Sequence, residues 1–213
     1  MTQASPQIDR AHGAAAPVPC WSCNQAAHGL FCGTCGAVQP PGALDHFQRL
    51  GLERSFAVAT AELDRRYFAL QRQLHPDRFV KKTPRERAVS QSQAASLNEA
   101  YETLSDPLSR AVYLLRLQGI ELEPASGQTI SDPALLMEAM EMREALSEAV
   151  DDGEVQAVAA QIEVDRKMGF DLLSQAFATG DVGKARTQAL RLKYLGKLAE
   201  DIRARRAAMR VAL

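Results

Sequence analysis

Apolar residues recur along this chain at helical spacing. Leu63, Tyr67, Leu70 and Leu74 fall at i, i+4, i+7 and i+11, which places them on one face of a helix. Pro76 forces the residue before it out of helical geometry, so that helix stops near Leu74. Thr83-Pro84-Arg85-Glu86 reads as a capping box with proline at the first helical position. It predicts a helix to about Leu104, with Leu97, Tyr101 and Leu104 turned inward. Asp106-Pro107 opens a shorter apolar helix carrying Val112, Leu114, Leu115 and Leu117, closed by Gly119. Asp132-Pro133 starts another helix, Asp151-Asp152-Gly153 separates it from the next, and Gly180-Asp181 separates that one from the last. Along the last helix Leu192, Leu195, Ala199 and Ile202 recur at i, i+3, i+7 and i+10. No strand-like alternation of any length and no internal repeat is visible.

These signals divide the chain into segments. Residues 1–19, rich in Ala, Gln, Pro and Gly, read as a disordered tail, and residues 20–41 form a cysteine-bearing loop ending in Pro40-Pro41-Gly42. Residues 43–121 are helical, a linker over 121–131 carries Pro124 and Gly127, and residues 132–213 are helical again. Three helices with short connections predict an antiparallel bundle for the last segment. The expected class is all-α: a helical hairpin and a three-helix bundle, preceded by a small cysteine-rich knuckle.

Composition narrows the partners. The chain has 213 residues, 46% hydrophobic and 24% charged, with a formal net charge of −1. A nearly neutral protein has no general attraction to nucleic acid or membrane, so functional charge must be local. No apolar run approaches the roughly 20 residues that span a bilayer. The N-terminal residues lack the basic start and apolar middle of a secretory signal, and a single Arg (Arg10) beside Asp9 is a poor match to a mitochondrial transit peptide. A cytoplasmic monomer is the expectation, with the mitochondrial matrix second.

His75-Pro76-Asp77 lies between two helices, and the chain reverses over Asp77 to Lys82, so a histidine and a carboxylate are expected exposed at the tip of an antiparallel hairpin. An acid–base enzymatic role needs a nucleophile or metal nearby, and no such constellation accompanies the pair. The stretch resembles the J-domain family. Asp45-His46-Phe47-Gln48-Arg49-Leu50-Gly51-Leu52 is similar to its short first helix, Leu74-His75-Pro76-Asp77-Arg78-Phe79 to its signature loop, and Leu97-Asn98-Glu99-Ala100-Tyr101-Glu102-Thr103-Leu104-Ser105-Asp106-Pro107 to the end of its long helix. The resemblance implies that His75, Pro76 and Asp77 touch a DnaK/HscA-type chaperone and promote its ATP hydrolysis. It also implies that basic residues of the preceding helix, Arg65, Arg66 and Arg72, steer docking, with Lys81 and Lys82 adding charge at the loop end.

In the second helical half, Met137, Met140, Glu141 and Glu144 lie at i, i+3, i+4 and i+7 and share a face. Thioethers beside carboxylates suit a protein contact; packing of Met and Leu with solvated Glu is the plainer reading of the residues alone. Leu135-Leu136-Met137-Glu138-Ala139-Met140-Glu141-Met142-Arg143-Glu144, Leu190-Arg191-Leu192-Lys193-Tyr194-Leu195-Gly196-Lys197-Leu198 and Ser109-Arg110-Ala111-Val112-Tyr113-Leu114-Leu115 resemble the HscB-type J-domain co-chaperones. That resemblance implies binding of the iron–sulfur scaffold protein IscU by Leu136, Met137, Met140, Glu141, Glu144 and Tyr194. Met140 stands where the bacterial pattern has Leu and Tyr194 where it has Phe, both keeping apolar bulk.

The four cysteines form two C-x-x-C pairs, Cys20/Cys23 and Cys32/Cys35. Two such pairs complete a tetrahedral four-sulfur site, and one structural zinc with no organic cofactor is the expectation. Iron, free thiols or a redox pair remain open alternatives, and His12 and His28 sit off the spacing. Gly33 and Gly36 are expected to allow the tight backbone of the knuckle. The extension resembles that of the longer, eukaryotic-like members. The leading expectation is therefore a co-chaperone without an active site of its own. A J-domain adaptor for other clients and a thiol or iron-handling protein are the alternatives.

Overall fold

The helices that start at Pro84, Pro107, Asp152 and Val182 begin where the sequence places its caps, whereas the one that starts at Thr60 follows Ala59 with no side-chain cap. In the computed structural model, which describes residues 18–27, 29–122 and 133–211, the elements are β1 (Val18–Pro19), β2 (Ala26–Ala27), α1 (His46–Leu50), α2 (Thr60–Leu74), α3 (Pro84–Ser105), α4 (Pro107–Leu117), α5 (Pro133–Glu148), α6 (Asp152–Thr179) and α7 (Val182–Val211). Asp45 caps α1 in a reciprocal box with Gln48. Thr83 and Glu86 form the expected box at α3, with Thr83 Oγ1 accepting from the Glu86 amide and Glu86 Oε2 accepting from the Thr83 amide. Asp106, Asp151 and Asp181 accept from the amides of Ser109, Glu154 and Lys184 at the starts of α4, α6 and α7. Gly180, at φ 71°, closes α6.

Val18 and Pro19 fall in the segment expected to be a structureless tail, yet they pair antiparallel with Ala27 and Ala26, a ladder too short to leave an alternating signature in the sequence. Residues 1–17, His28, and the linker and cap over 123–132 lie outside the described residues.

The chain forms two compact units. One ends at Arg54 and resumes over Val58–Leu104; the other comprises Ser55–Ala57 and the chain from Ser105 onward. In the first, Leu63, Tyr67 and Leu74 of α2 and Leu97, Ala100 and Leu104 of α3 are buried. The Tyr67 and Tyr101 rings stack at 4.0 Å. Their hydroxyls do not stay idle in this seam: Tyr67 donates to Asn98 and Tyr101 to Asp64.

In the second unit, α6 and α7 contain 28 and 30 residues and so run for about 42 and 45 Å. Leu146 of α5 and Ala149 just beyond its end pack with Val155, Ile162, Leu195, Leu198 and Ile202 along one part of this pair. Ala111 and Leu115 of α4 pack with Leu173, Ala176, Ala185, Ala189 and Leu192 along the other. The expected three-helix bundle is therefore present, and α4 packs on it. Phe56 completes that end, its ring stacked on Phe177 at 5.0 Å.

Candidate functional sites: hairpin tip, α5 face and cysteine cluster

At the tip, α2 ends at Leu74 because His75 precedes a proline and takes φ −55° and ψ 129°. The α2 terminus is tied to α3 by Ser90, a buried residue whose hydroxyl donates to the Leu74 carbonyl at 2.7 Å. Pro76–Phe79 form a 3-10 turn. His75 Nδ1 accepts from the Asp77 amide at 3.3 Å and lies 3.5 Å from the Asp77 carboxylate. The two side chains are 53% and 84% exposed, so imidazole and carboxylate both face solvent. Arg87, which the sequence pattern did not single out, braces the loop by donating to the carbonyls of Val80 and Lys82.

The basic residues differ among themselves. Arg65 and Arg66 share one carboxylate, Glu62, whose pKa is held below the usual range by the hydrogen bonds from those two guanidinium groups. Arg66 also donates to the Gly51 carbonyl and so ties α2 to the end of α1. Arg72 and Lys81 are exposed and form no ion pair among the described residues. Two of the five basic residues expected along α2 and the loop, Arg65 and Arg66, are thus partly neutralised within the fold.

On α5, Leu136, Met137, Met140, Glu141 and Glu144 are all exposed on one face, Met137 and Met140 each by 63%. Two exposed thioethers side by side are a soft, adaptable apolar surface. Tyr194 does not join them at the surface. It is half-buried, donates its hydroxyl to the Ala139 carbonyl, and carries the Arg143 guanidinium 5.6 Å from its ring centre. A phenol on α7 reaches α5 from the inside, where its ring is needed as packing. Sequence spacing also missed Arg191, which pairs with Glu138 of α5 and lies 3.6 Å from Asp165 of α6.

The cysteine cluster has a repeated backbone. The Cys20 amide donates to the Gln25 carbonyl and the Asn24 amide to the Cys20 carbonyl; the Cys32 amide donates to Ala37 and the Gly36 amide to Cys32 in the same pattern. The residue after each second cysteine is left-handed, Asn24 at φ 60° and Gly36 at φ 72°. Gly36 thus meets the expectation, while Gly33 has ordinary φ and open space where a Cβ would stand. The four Sγ atoms lie within 4.8 Å of one another. Cys20–Cys35 and Cys23–Cys32 are 3.7 Å apart, too far for disulfides. A tetrahedron with metal–sulfur bonds of about 2.3 Å has edges of about 3.8 Å, so the spacing fits a single tetrahedral ion. Packed this closely, the thiols cannot ionise independently. Burial opposes ionisation of Cys20, yet the amides of Cys23 and Ser22 and the neighbouring thiols lower it to about 6. Amides of Cys35 and Thr34 lower Cys32. The Gln25 amide favours the Cys23 thiolate, but burial and the other three sulfurs push it up to about 12.

An exposed His-Pro-Asp turn joining two antiparallel helices, followed by a separate helical bundle, defines a J-domain protein. Residues 45–113 match the DnaJ domain family and residues 131–203 the HSCB C-terminal oligomerisation domain family. The Arabidopsis thaliana iron-sulfur cluster co-chaperone protein HscB homolog is 36% identical over 184 residues, covering 86% of this chain and 72% of that protein. The Mus musculus protein HscB is 35% identical over 190 residues, with 86% and 81% covered. The crystal structure of human co-chaperone protein HscB superposes with a TM-score of 0.80 at 33% identity, covering 89% of this chain and 98% of that one. The chain belongs to the HscB family of co-chaperones of iron–sulfur cluster biogenesis. Among the described residues, no helix is long and apolar enough to cross a membrane.

Proposed function

We propose that this protein stimulates the ATPase of a DnaK/HscA-type chaperone through His75, Pro76 and Asp77 and delivers an IscU-type scaffold to it on the α5 face. The protein hydrolyses nothing itself; it acts on its partner's catalytic cycle. The observation that carries this reading is the hairpin tip, with its imidazole and carboxylate solvated at a proline-fixed turn. Arg72 and Lys81 supply unspent positive charge for steering, and Arg65 and Arg66 a weaker contribution. Leu136, Met137, Met140, Glu141 and Glu144 form the scaffold surface, which Tyr194 supports from beneath. Cys20, Cys23, Cys32 and Cys35 hold one zinc ion, which when bound neutralises thiolate charge and ties the knuckle together without taking part in chemistry.

The test is the steady-state ATPase rate of an HscA-type chaperone with this protein and the scaffold, alone and together. Turnover rises with both present, and His75→Gln abolishes the rise; stimulation that survives the substitution refutes the loop mechanism. In parallel, a Met137→Ala/Met140→Ala variant loses scaffold binding by calorimetry. Undiminished binding of that variant would instead favour an adaptor for other clients.

A further inference from the structure

Two glutamines next to the cysteine cluster are buried, Gln39 at 2% and Gln93 at 0% exposure. The Gln39 side-chain amide donates to the Cys20 sulfur at 3.3 Å and to the Ala37 carbonyl at 2.8 Å. The Gln39 main-chain carbonyl accepts from Gln93 Nε2 on α3 at 2.8 Å. Gln93 Oε1 accepts from the Arg49 guanidinium of α1 at 2.9 Å, and Arg49 reaches back to the carbonyls of Pro41 and Leu44. A continuous path of buried polar groups thus leads from a sulfur of the cluster to α3 and α1. Each donor in it would be costly to leave unmatched, so its members hold one another in place.

A second contact reinforces the path. Trp21, inside the first C-x-x-C pair, donates to the Val38 carbonyl at 2.7 Å, and its ring lies under the Arg85 guanidinium at 4.5 Å. Arg85 lies in the first turn of α3, and Gln93 follows it by about 12 Å along the axis. The knuckle is therefore anchored on α3 at two levels of the helix whose N-terminus follows the His-Pro-Asp loop.

We propose that Gln39 is the joint coupling the metal centre to the helical hairpin, so that an occupied centre rigidifies α3 around Ser90–Leu97 and loss of the ion loosens it. The proposal rests on the four-thiolate site taking a metal. By linkage, disturbing the α3 end of the path weakens the hold on the ion.

The test uses the full chain loaded with cobalt(II), whose thiolate charge-transfer absorption reports the four-sulfur site. Absence of that absorption refutes the metal reading itself, before any question of coupling arises. Amide hydrogen exchange is then followed over residues 90–97 before and after removal of the ion with EDTA. The native chain loses protection there by about tenfold. Gln39→Met keeps the absorption, shows much of that loss while still loaded, and changes little further on chelation. Unchanged protection in the native chain on chelation, or a chelation-induced loss in Gln39→Met as large as that of the native chain, overturns the proposal. Should Gln39→Met fail to fold, Gln93→Glu keeps the acceptor for Arg49 and turns the donor to Gln39 into an oxygen that faces the Gln39 carbonyl, which breaks the path at that point. It releases the ion to a chelating dye about tenfold faster; an unchanged release rate overturns the coupling.

Discussion

Arg191→Met tests what holds α5 to the bundle. Arg191 Nε lies 2.8 and 2.9 Å from the two oxygens of Glu138, and Nη2 also faces Asp165. The side chains of Arg191, Glu138 and Asp165 are 17%, 29% and 13% exposed. Removing one partner of a fully buried pair costs about 3–5 kcal/mol, because the other charge is stranded. An exposed pair contributes below about 1 kcal/mol. These exposures place the triad between the limits, at about 2 kcal/mol, and methionine keeps most of the apolar stem. Two carboxylates then remain near each other without their cation. For a chain of this size about 2 kcal/mol lowers Tm by about 4–8 °C, read by the helical circular dichroism signal. Adding Glu138→Met removes one stranded charge and should recover at least about 1 kcal/mol. A single variant melting within about a degree of the parent, or a double variant no more stable than the single, would show that this ion cluster does not secure α5.

Further outcomes follow from other parts of the fold. Glu86 is held below the ordinary carboxylate range by the amide and hydroxyl of Thr83, and Glu62 by Arg65 and Arg66. Both lend stability that is fully present above the unfolded value of about 4.3 and drains away as pH falls through the folded values. Urea midpoints should therefore decline below that pH, and less steeply in Glu86→Gln; an identical slope would count against the capping contribution. Gly36→Ala, at φ 72°, should weaken metal retention by about fivefold in chelator competition, whereas Gly33→Ala should leave it within about twofold. Gly169→Ala places a Cβ 2.9 Å from Leu192 Cδ2 at the buried α6–α7 crossing. The overpacking, about 1–3 kcal/mol, should outweigh the helix-propensity gain of about 1 kcal/mol, giving a lower Tm.

The helices were legible because they carry their own punctuation. Proline and aspartate at the starts, glycine at the ends and apolar stripes between them are local signals, and the structure uses them where they stand. The exposed tip was legible for the same reason: a proline stops α2, and a capping box starts α3. What escaped was polar burial. Ser90 and Gln93 fall in step with Leu97, Ala100 and Leu104 on α3, but nothing local names Leu74 and Gln39 as their partners. Tyr194 shows the reverse difficulty. Its position on α7 carries no sign that the ring would underpin α5, because that contact spans more than fifty residues of sequence. Likewise Asn24 gives no warning that it takes the left-handed turn its counterpart Gly36 makes easily.

While the Asp77 amide donates to His75 Nδ1, the neutral imidazole has its Nε2, the nitrogen turned away from its own backbone, left to carry the ring proton. The tip therefore carries a ring N–H donor and a carboxylate acceptor on one turn, both exposed to solvent. A surface that matched both groups at once would have to present an acceptor to the ring and a donor to the carboxylate.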